Sequence, residues 1–411
     1  MSDTFDLRIE SIAAGGDGVG RHNGIVVFVP RTAPGDLARV SAELDSRFMR
    51  GRMLDLIEPS PRRVEPPCQH YTADRCGGCQ IQHLLYEAQL AAKCGIIRDS
   101  LTRIGRVQVD APEVEPSPNP WRYRRKLTLA MRRRDGRWIA GLRRYDAPNE
   151  VFELRDCPIT EQQVVDHWLQ VLGAQEFLPV SNELRGAVRL LASGFCFTLE
   201  GAHDWKSHEQ FFAAIPTLVE LWWKPDAKSR RLLQSRTPAD QAGASFTQVN
   251  PGVAAALREW VVQLATSSLA RSAIDAYAGT GDIAVALTSA GLQVTAIEID
   301  RDAARVCASR LPSGSRAISA PVEEALRKSL PADVVVLNPP RAGVAAIVAE
   351  TLDAQNPKPR ALIYVSCNPA TLARDIRRMG SYRIRSLRGF DMFPQTAHVE
   401  TVCELVAGEA A

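Results

Sequence analysis

The chain has 411 residues, which is too many for one ordinary hydrophobic core and indicates two or three domains. Its composition, 45% hydrophobic and 24% charged with a net charge of +3, is typical of a folded protein and excludes a disordered or fibrous chain. No apolar run has the length of a membrane span, and the start lacks the order of a signal peptide. We therefore expect a cytoplasmic protein without membrane contact, whose nine cysteines stay reduced or bind metal.

The first segment, residues 1–58, alternates short β-rich runs with glycine turns. Short strands at this spacing predict a small closed β-barrel. We expect its strands at Asp6–Ile12, Ile25–Val29, Leu37–Ala42 and Arg52–Ile57. Four prolines between positions 59 and 67 then indicate a linker into a β-rich central domain, which we place at residues 59–245.

Three cysteines open the central segment at Cys68, Cys76 and Cys79. Two cysteines separated by two residues, with a third nearby, have the spacing of thiolate ligands. Cys157 is the best candidate for a fourth ligand, because a proline follows it, as is common at iron–sulfur sites. Spacing alone leaves an iron–sulfur cluster and a zinc ion equally open.

A strongly basic stretch follows at residues 121–145, with ten Arg or Lys against one acid. Within it, the runs Leu127–Met131 and Trp138–Leu142 flank Asp135-Gly136, which predicts a β-hairpin. A genome that favours arginine codons would not concentrate charge in this way. The stretch therefore predicts contact with a polyanion.

The last segment, residues 246–411, alternates apolar β-runs with helical stretches. This rhythm predicts a parallel, Rossmann-like sheet. The expected strands are Ala273–Tyr277, Gln293–Ile297, Ala332–Leu337 and Ala361–Ser366, followed by a last strand at Thr401–Val406.

The first of these strands runs into Gly279-Thr280-Gly281 and then a helix, a turn that lets the backbone approach a ligand closely. Glu298, at the end of the second strand, has the position of an acid that binds ribose hydroxyls. The turn has neither the longer glycine run nor the lysine of phosphate-binding loops. S-adenosylmethionine therefore fits better than a dinucleotide, and Asn338 should reach the same crevice from the fourth strand.

Cys367 follows the fifth strand and precedes a helix that Asn368 can cap. A helix N-terminus favours a thiolate, so Cys367 is a candidate nucleophile. Glu400 opens the last strand, where a carboxylate could face the same crevice. Taken alone, Glu400 is more simply read as a solvated glutamate.

Several motifs in this order resemble the bacterial RNA 5-methyluridine methyltransferases, of the 23S rRNA (uracil-5-)-methyltransferase type with an N-terminal TRAM barrel. They are Cys-Gly-Gly-Cys-Gln at 76–80, Arg-Asp-Cys-Pro at 155–158, Phe-Thr-Gln-Val-Asn at 246–250, Pro-Pro-Arg-Ala-Gly at 339–343, Ser-Cys-Asn-Pro-Ala-Thr at 366–371 and Phe-Pro-Gln-Thr-Ala-His-Val-Glu at 393–400. The resemblance runs along nearly the whole chain and implies RNA as the partner, with 23S rRNA as the expected substrate.

The resemblance also assigns roles to individual residues. It implies a four-iron–four-sulfur cluster on Cys68, Cys76, Cys79 and Cys157, and cofactor contacts by Gln248, Tyr277, Asp282, Glu298 and Asn338. It makes Cys367 the nucleophile that attacks uracil and Glu400 the base. The family usually has Asp where this chain has Asn338.

Three alternatives stay open at this point. The same chemistry could act on tRNA. Asn-Pro-Pro at 338–340 also opens the motif of methyltransferases that act on amino groups, although those enzymes follow it with an aromatic residue rather than Arg341. A non-catalytic RNA-binding protein with an iron–sulfur cluster would keep the four cysteines but gain nothing from Cys367 and Glu400.

Overall fold

The computed structural model of the protein describes residues 3–191, 193–226, 229–236 and 248–408. The strands are β1 Asp3–Ile12, β2 Gly18–His22, β3 Ile25–Val29, β4 Leu37–Asp45, β5 Phe48–Glu58, β6 Val114–Glu115, β7 Lys126–Arg134, β8 Arg137–Gly141, β9 Glu183–Leu191, β10 Gly194–Glu200, β11 Leu218–Lys224, β12 Arg231–Ser235, β13 Ser272–Ala276, β14 Gln293–Glu298, β15 Arg316–Ser319, β16 Val334–Leu337, β17 Ala361–Ser366, β18 Tyr382–Phe390 and β19 Glu400–Ala407. The α-helices are α1 Gln69–Thr72, α2 Tyr86–Ser100, α3 Gln162–Gly173, α4 His208–Ala214, α5 Pro251–Ser267, α6 Asp282–Ser289, α7 Arg301–Arg310, α8 Val322–Ser329, α9 Ala346–Ala354 and α10 Pro369–Arg378. In this described part of the chain, no helix combines the length and the apolar character that crossing a membrane requires.

The chain divides into two compact units. The first comprises residues 1–64, 83–118 and 251–411, and the second comprises residues 65–82 and 119–250. Residues 83–118, which the sequence places in the central domain, belong to the first unit because α2 packs against α10 and β18. The predicted boundary between 245 and 246 lies outside the described residues.

Strands β1 to β5 form a closed barrel in the order β1-β2-β3-β5-β4, so the predicted barrel is confirmed. Its core is filled by Leu7, Ile9, Val27, Val29 and Val40. The sequence does not predict β2, because Gly18 looks like part of a turn. In the structure Gly18 begins the strand, and a Cβ there would lie 2.0 Å from the Thr32 hydroxyl, so close packing explains this glycine.

The rest of the first unit is an eight-stranded sheet in the order β15-β14-β13-β16-β17-β19-β18-β6. Strands β13 to β17 pair in parallel, and β19 inserts antiparallel between β17 and β18. Neighbouring residues of one strand face opposite cores: Ala273 packs with α5, α6 and α7, and Ile274 packs with α8, α9 and α10. Because helices cover both faces, the inner strands are apolar throughout. The predicted Rossmann-like sheet is confirmed.

The second unit contains a six-stranded sheet in the order β12-β11-β10-β9-β7-β8. Helices α3 and α4 contribute to a core rich in aromatic side chains, among them Trp168, Phe197 and Phe211. Strands β7 and β8 form the predicted hairpin, closed by Asp135-Gly136 with φ values of 51° and 81°. The tight turn that Asp-Gly favours requires two consecutive residues with left-handed backbone conformation.

Candidate active site

The strand order reverses between β13 and β16, and ligands of such sheets bind at the carboxyl ends of the strands on either side of this point. Strand β13 leads there into a turn with three left-handed residues, Tyr277, Gly279 and Gly281. A Cβ on Gly281 would lie 2.5 Å from the Cys307 sulfur, so only glycine fits. The turn brings the start of α6 to the crevice.

Two predicted cofactor residues stabilise this turn in the structure. The Glu298 carboxylate accepts hydrogen bonds from the backbone N–H groups of Gly279 (2.8 Å) and Asp300 (2.8 Å). Asp282 accepts a hydrogen bond from Arg310 at 2.7 Å. Both acids therefore lie at the glycine turn, as the sequence predicts, and a ligand there would use their remaining acceptor capacity.

Buried polar groups at the turn test whether S-adenosylmethionine fits. Asp275 is fully buried, with no side-chain hydrogen-bond partner among the described residues and a backbone hydrogen bond from Ala284 that lowers its pKa. Burial, with the charges of Glu298 and Asp282, raises the pKa of Asp275 to about 7. The Tyr277 hydroxyl is also buried, and its interaction with Glu323 brings a further carboxylate to the turn. A concentration of acids suits a cationic, polar ligand such as a sulfonium amino acid.

The other two predicted cofactor residues lie at different places. Asn338 directly follows β16, and its backbone N–H donates to the Ala276 carbonyl at 3.1 Å, which puts it at the switch point. Gln248 belongs to the second unit. Its side-chain oxygen is buried and has no hydrogen-bond partner within the described ranges. Its contact with the cofactor stays a prediction.

The pairing of β17 with β19 brings Cys367 and Glu400 together. Ser366 pairs with Thr401 in this antiparallel ladder, so the next position of the same register sets Cys367 opposite Glu400. Cys367 is half-buried, and Glu400 is only 4% exposed. The reading of Glu400 as a solvated residue is therefore wrong.

The environment shifts the pKa of both groups. Burial raises the pKa of Glu400 to about 7, and the nearby Arg341 guanidinium opposes that shift. Burial and then the Glu400 charge raise the pKa of the Cys367 thiol, whereas Arg341 lowers it through its charge and a hydrogen bond. Arg341 thus lowers the pKa of both the Cys367 thiol and the Glu400 carboxyl.

Burial outweighs the groups that favour a Cys367 thiolate, because the thiol pKa is raised overall, and the contribution of the helix N-terminus stays a prediction. The start of α10 offers the thiol few donors. The Asn368 side chain already accepts the Ala370 N–H at 3.1 Å, and Pro369 has no N–H. The cation that favours the thiolate is Arg341.

The loop that carries Arg341 is fixed by a fully buried carboxylate, Asp375 of α10. It accepts hydrogen bonds from the Val344 N–H at 2.9 Å and from the Tyr364 hydroxyl at 2.8 Å. Gly343 has φ 77°, and a Cβ there would lie 2.3 Å from an Asp375 oxygen. Sequence reasoning used Arg341 as part of a family motif and to argue against an amino-group methyltransferase, gave it no role at the thiol, and missed Asp375.

Helix α2 holds the segment that leads into Glu400. Lys93 and Asp391 form an ion pair with both side chains fully buried, and Lys93 also donates to the Phe393 carbonyl. Gln89 exchanges two hydrogen bonds of 2.9 Å with Gln395, whose φ is 70°. Sequence reasoning missed this network as well.

The four predicted cluster cysteines are all in the second unit, and each is 7% or 8% exposed. Burial raises the pKa of Cys79, and charges at Cys157, Cys76 and Cys68 add to the shift, so the four thiols converge. In the part of the chain that the structure describes, no group of three or more His, Cys, Asp or Glu could hold a metal ion as arranged. The cluster therefore stays a prediction.

The basic stretch 121–145 is largely neutralised by acids from outside it. Arg122, Arg132, Arg137, Arg143 and Arg144 pair with Asp156, Glu183, Glu153, Glu183 and Glu150, respectively. Arg133 and Arg134 form no ion pair with any described residue, and Arg133 lies over the Trp138 ring. Apart from Glu150, which is six residues from Arg144, these partners come from positions 16 or more residues away, so the sequence could not predict them.

A doubly wound sheet with acids at the carboxyl ends of its strands is a fold of enzymes that bind a nucleoside cofactor at the switch point. Comparison with protein families matches residues 322–407 to the tRNA (uracil-5-)-methyltransferase model and residues 3–51 to the TRAM domain.

Relatives match along the full chain. A protein of Thermosynechococcus vestitus, named as an uncharacterized RNA methyltransferase, is 30% identical over 98% of each chain. One of Protochlamydia amoebophila with the same kind of name is 31% identical over 97% of this chain and 96% of its own. The chain therefore belongs to the RNA methyltransferase family that combines a TRAM domain with a uracil-5-methyltransferase domain.

A solved structure shares the fold over the same extent. The Pyrococcus abyssi tRNA (uracil-54, C5)-methyltransferase, crystallised with S-adenosyl-L-homocysteine, has a TM-score of 0.73 and 24% identity. The match covers 98% of this chain and 99% of that chain. Because family membership makes the chain an enzyme, a non-catalytic RNA-binding protein is excluded.

Proposed function

We propose that the protein methylates carbon 5 of one uridine in 23S rRNA through a covalent bond between Cys367 and the uracil ring. The observation that carries this proposal is the pairing of a half-buried thiol with a buried carboxylate across β17 and β19. An amino-group methyltransferase needs neither residue, and it needs an aromatic side chain where this chain has Arg341.

Carbon 5 of uracil is too weak a nucleophile to be methylated directly. The Cys367 thiolate adds to carbon 6, and the electron pair of the carbon 5–carbon 6 double bond moves toward carbon 5 and the carbonyl. S-adenosylmethionine, held by the crevice residues, supplies the methyl group for carbon 5. Glu400 then removes the proton from carbon 5, the double bond re-forms, and the thiolate leaves carbon 6.

Arg341 stabilises the charged forms that this sequence needs. It lowers the pKa of the Cys367 thiol before attack and opposes the rise in the pKa of Glu400. The target base must leave its helix to reach a thiol at the carboxyl end of the sheet, so we expect a flipped or unpaired uridine.

We expect adduct resolution to accelerate as pH rises through about 7 and to level off above it. Burial raises the Glu400 pKa to about 7, so the carboxyl is protonated below that pH and cannot accept the carbon 5 proton. Rapid mixing of enzyme, cofactor and RNA, followed by denaturing quench, measures the decay of the covalent adduct separately from its formation. A decay rate that is constant across neutral pH would contradict this role.

The choice of ribosomal RNA is supported by the resemblance of the chain's motifs to the 23S rRNA enzymes. The structural relative from Pyrococcus abyssi, which acts on tRNA, favours tRNA as the second candidate. Incubation of the purified enzyme with methyl-labelled cofactor and separated 23S rRNA or tRNA tests both. Label in 5-methyluridine of 23S rRNA supports the proposal, and label in tRNA alone favours the second candidate.

We also propose a four-iron–four-sulfur cluster on Cys68, Cys76, Cys79 and Cys157. Four buried, converging thiols destabilise one another as thiolates, and a bound cationic centre would reverse this. The resemblance and the proline that follows Cys157 favour an iron–sulfur cluster over zinc.

Anaerobically purified protein should be brown and contain iron and sulfide in about equal amounts. Cys157→Ser should lose most of the iron, because one ligand is missing. Cys196→Ser is the matched control, since Cys196 is also buried in the same unit but lies outside the proposed ligand set. Elemental analysis of the three proteins makes the measurement, and a colourless wild type with stoichiometric zinc would refute the cluster.

A further inference from the structure

A cavity of about 810 Å³ lies beside the β7–β8 hairpin, within the second unit. Its lining comes from the end of β7, from Ile139 of β8, from α1 and the residues after it, and from the segment 144–155. None of these residues belongs to the proposed methyl-transfer site. Cavities of this size accommodate small ligands.

The lining is basic. It contains five arginines, Arg132, Arg133, Arg134, Arg144 and Arg155, against three carboxylates, Asp74, Glu150 and Glu153. Arg132 and Arg144 already pair with acids. The other three arginines are exposed and make no ion pair with the described residues. Planar guanidinium groups without a carboxylate partner suit phosphate oxygens.

The cavity is not basic throughout. Ile139, Val151 and Phe152 contribute an apolar part of the lining, and each is at most 8% exposed. A phosphate alone would gain nothing from these side chains. A nucleotide combines an anionic phosphate with a flat, largely apolar base, and single-stranded nucleic acid is bound by such combinations of charge and apolar surface.

We propose that this cavity binds one unpaired nucleotide of the substrate RNA, with its phosphate on Arg133, Arg134 and Arg155 and its base against the apolar lining. This inference rests on the proposed function, because it takes the substrate RNA as the ligand. It narrows the RNA contact within the basic stretch to Arg133 and Arg134, which form no ion pair with the described residues, and adds Arg155 from outside the stretch.

The test is RNA affinity of the full-length protein for a 23S rRNA fragment, measured by fluorescence anisotropy at several salt concentrations. Arg133→Gln combined with Arg155→Gln should weaken binding by about tenfold or more and reduce the salt slope by about 0.7 for each phosphate that the variant no longer binds. Arg137→Gln is the matched control. Arg137 is exposed on the same hairpin, but it pairs with Glu153 and does not line the cavity.

Unchanged RNA affinity in the double variant would overturn the proposal. An equal loss of RNA affinity in Arg137→Gln would also overturn it, because it would indicate only a general electrostatic attraction of the basic surface for RNA. Photo-crosslinking with 4-thiouridine RNA supplies a second readout. Crosslinks to peptides within residues 132–155 are expected, and crosslinks confined to other segments would overturn the base contact. If both readouts fail but the enzyme methylates RNA normally, the proposed nucleotide site in the cavity is refuted and the proposed function is not. Arginine-dependent binding without methylation of any RNA refutes the proposed function instead.

Discussion

Glu400→Gln is expected to trap the enzyme on its substrate. Cys367 can still attack carbon 6 and carbon 5 can still receive the methyl group, but the carbon 5 proton has no acceptor. Turnover should fall by about 100-fold to 10,000-fold, the usual contribution of a positioned general base. A protein–RNA adduct that carries methyl label should survive denaturing electrophoresis. Glutamine preserves the size of the buried side chain, so the fold should persist.

Two further variants make this expectation specific. Cys367→Ala should bind RNA and cofactor but form neither adduct nor product. The double variant with Glu400→Gln should also form no adduct, because the nucleophile is missing. Turnover of Glu400→Gln near the wild-type rate would show that Glu400 is not the base. Methylation by Cys367→Ala would show that the nucleophile is elsewhere.

Lys93→Met should destabilise the protein by about 3 to 5 kcal/mol, which is the typical cost of leaving one partner of a buried ion pair uncompensated. Asp391 would remain fully buried without its cation, and it lies at the start of the segment that leads into Glu400. The change in the free energy of unfolding, obtained from urea titration, is the measurement.

Two controls separate charge from packing. Lys93→Met combined with Asp391→Asn removes both charges and should recover much of the stability that the single variant loses. Arg103→Met breaks an exposed ion pair with Asp99 and should cost less than about 1 kcal/mol. If Lys93→Met costs no more than Arg103→Met, the buried pair does not stabilise the fold as we expect.

The sequence predicts the inner sheet better than its borders. Strands β13, β14, β16 and β17 lie within two residues of the predicted bounds, because strands covered on both faces are continuous apolar runs. The sequence does not predict β15 and β18. The first is a short edge strand, and the second places three arginines among its apolar residues, so neither has the apolar pattern of a buried strand.

The candidate site could be predicted in its residues but not in its arrangement. Cys367 follows one strand signal and Glu400 opens another, whereas their adjacency depends on β19 inserting beside β17, which no local pattern encodes. The ion pair of Lys93 joins positions 298 residues apart, so only the fold reveals it. The same holds for Asp375, which looks like an ordinary helix acid until its burial against the Arg341 loop is known.

Nucleoside analysis of 23S rRNA and tRNA from a strain that lacks this gene tests the central claim most directly. We expect one 5-methyluridine to disappear from 23S rRNA and to return when the wild-type gene, but not Cys367→Ala, is supplied. An unchanged 5-methyluridine content in both RNAs would contradict the claim that this protein methylates uridine. Restoration by Cys367→Ala would contradict the covalent mechanism, and loss from tRNA alone would contradict 23S rRNA as the substrate.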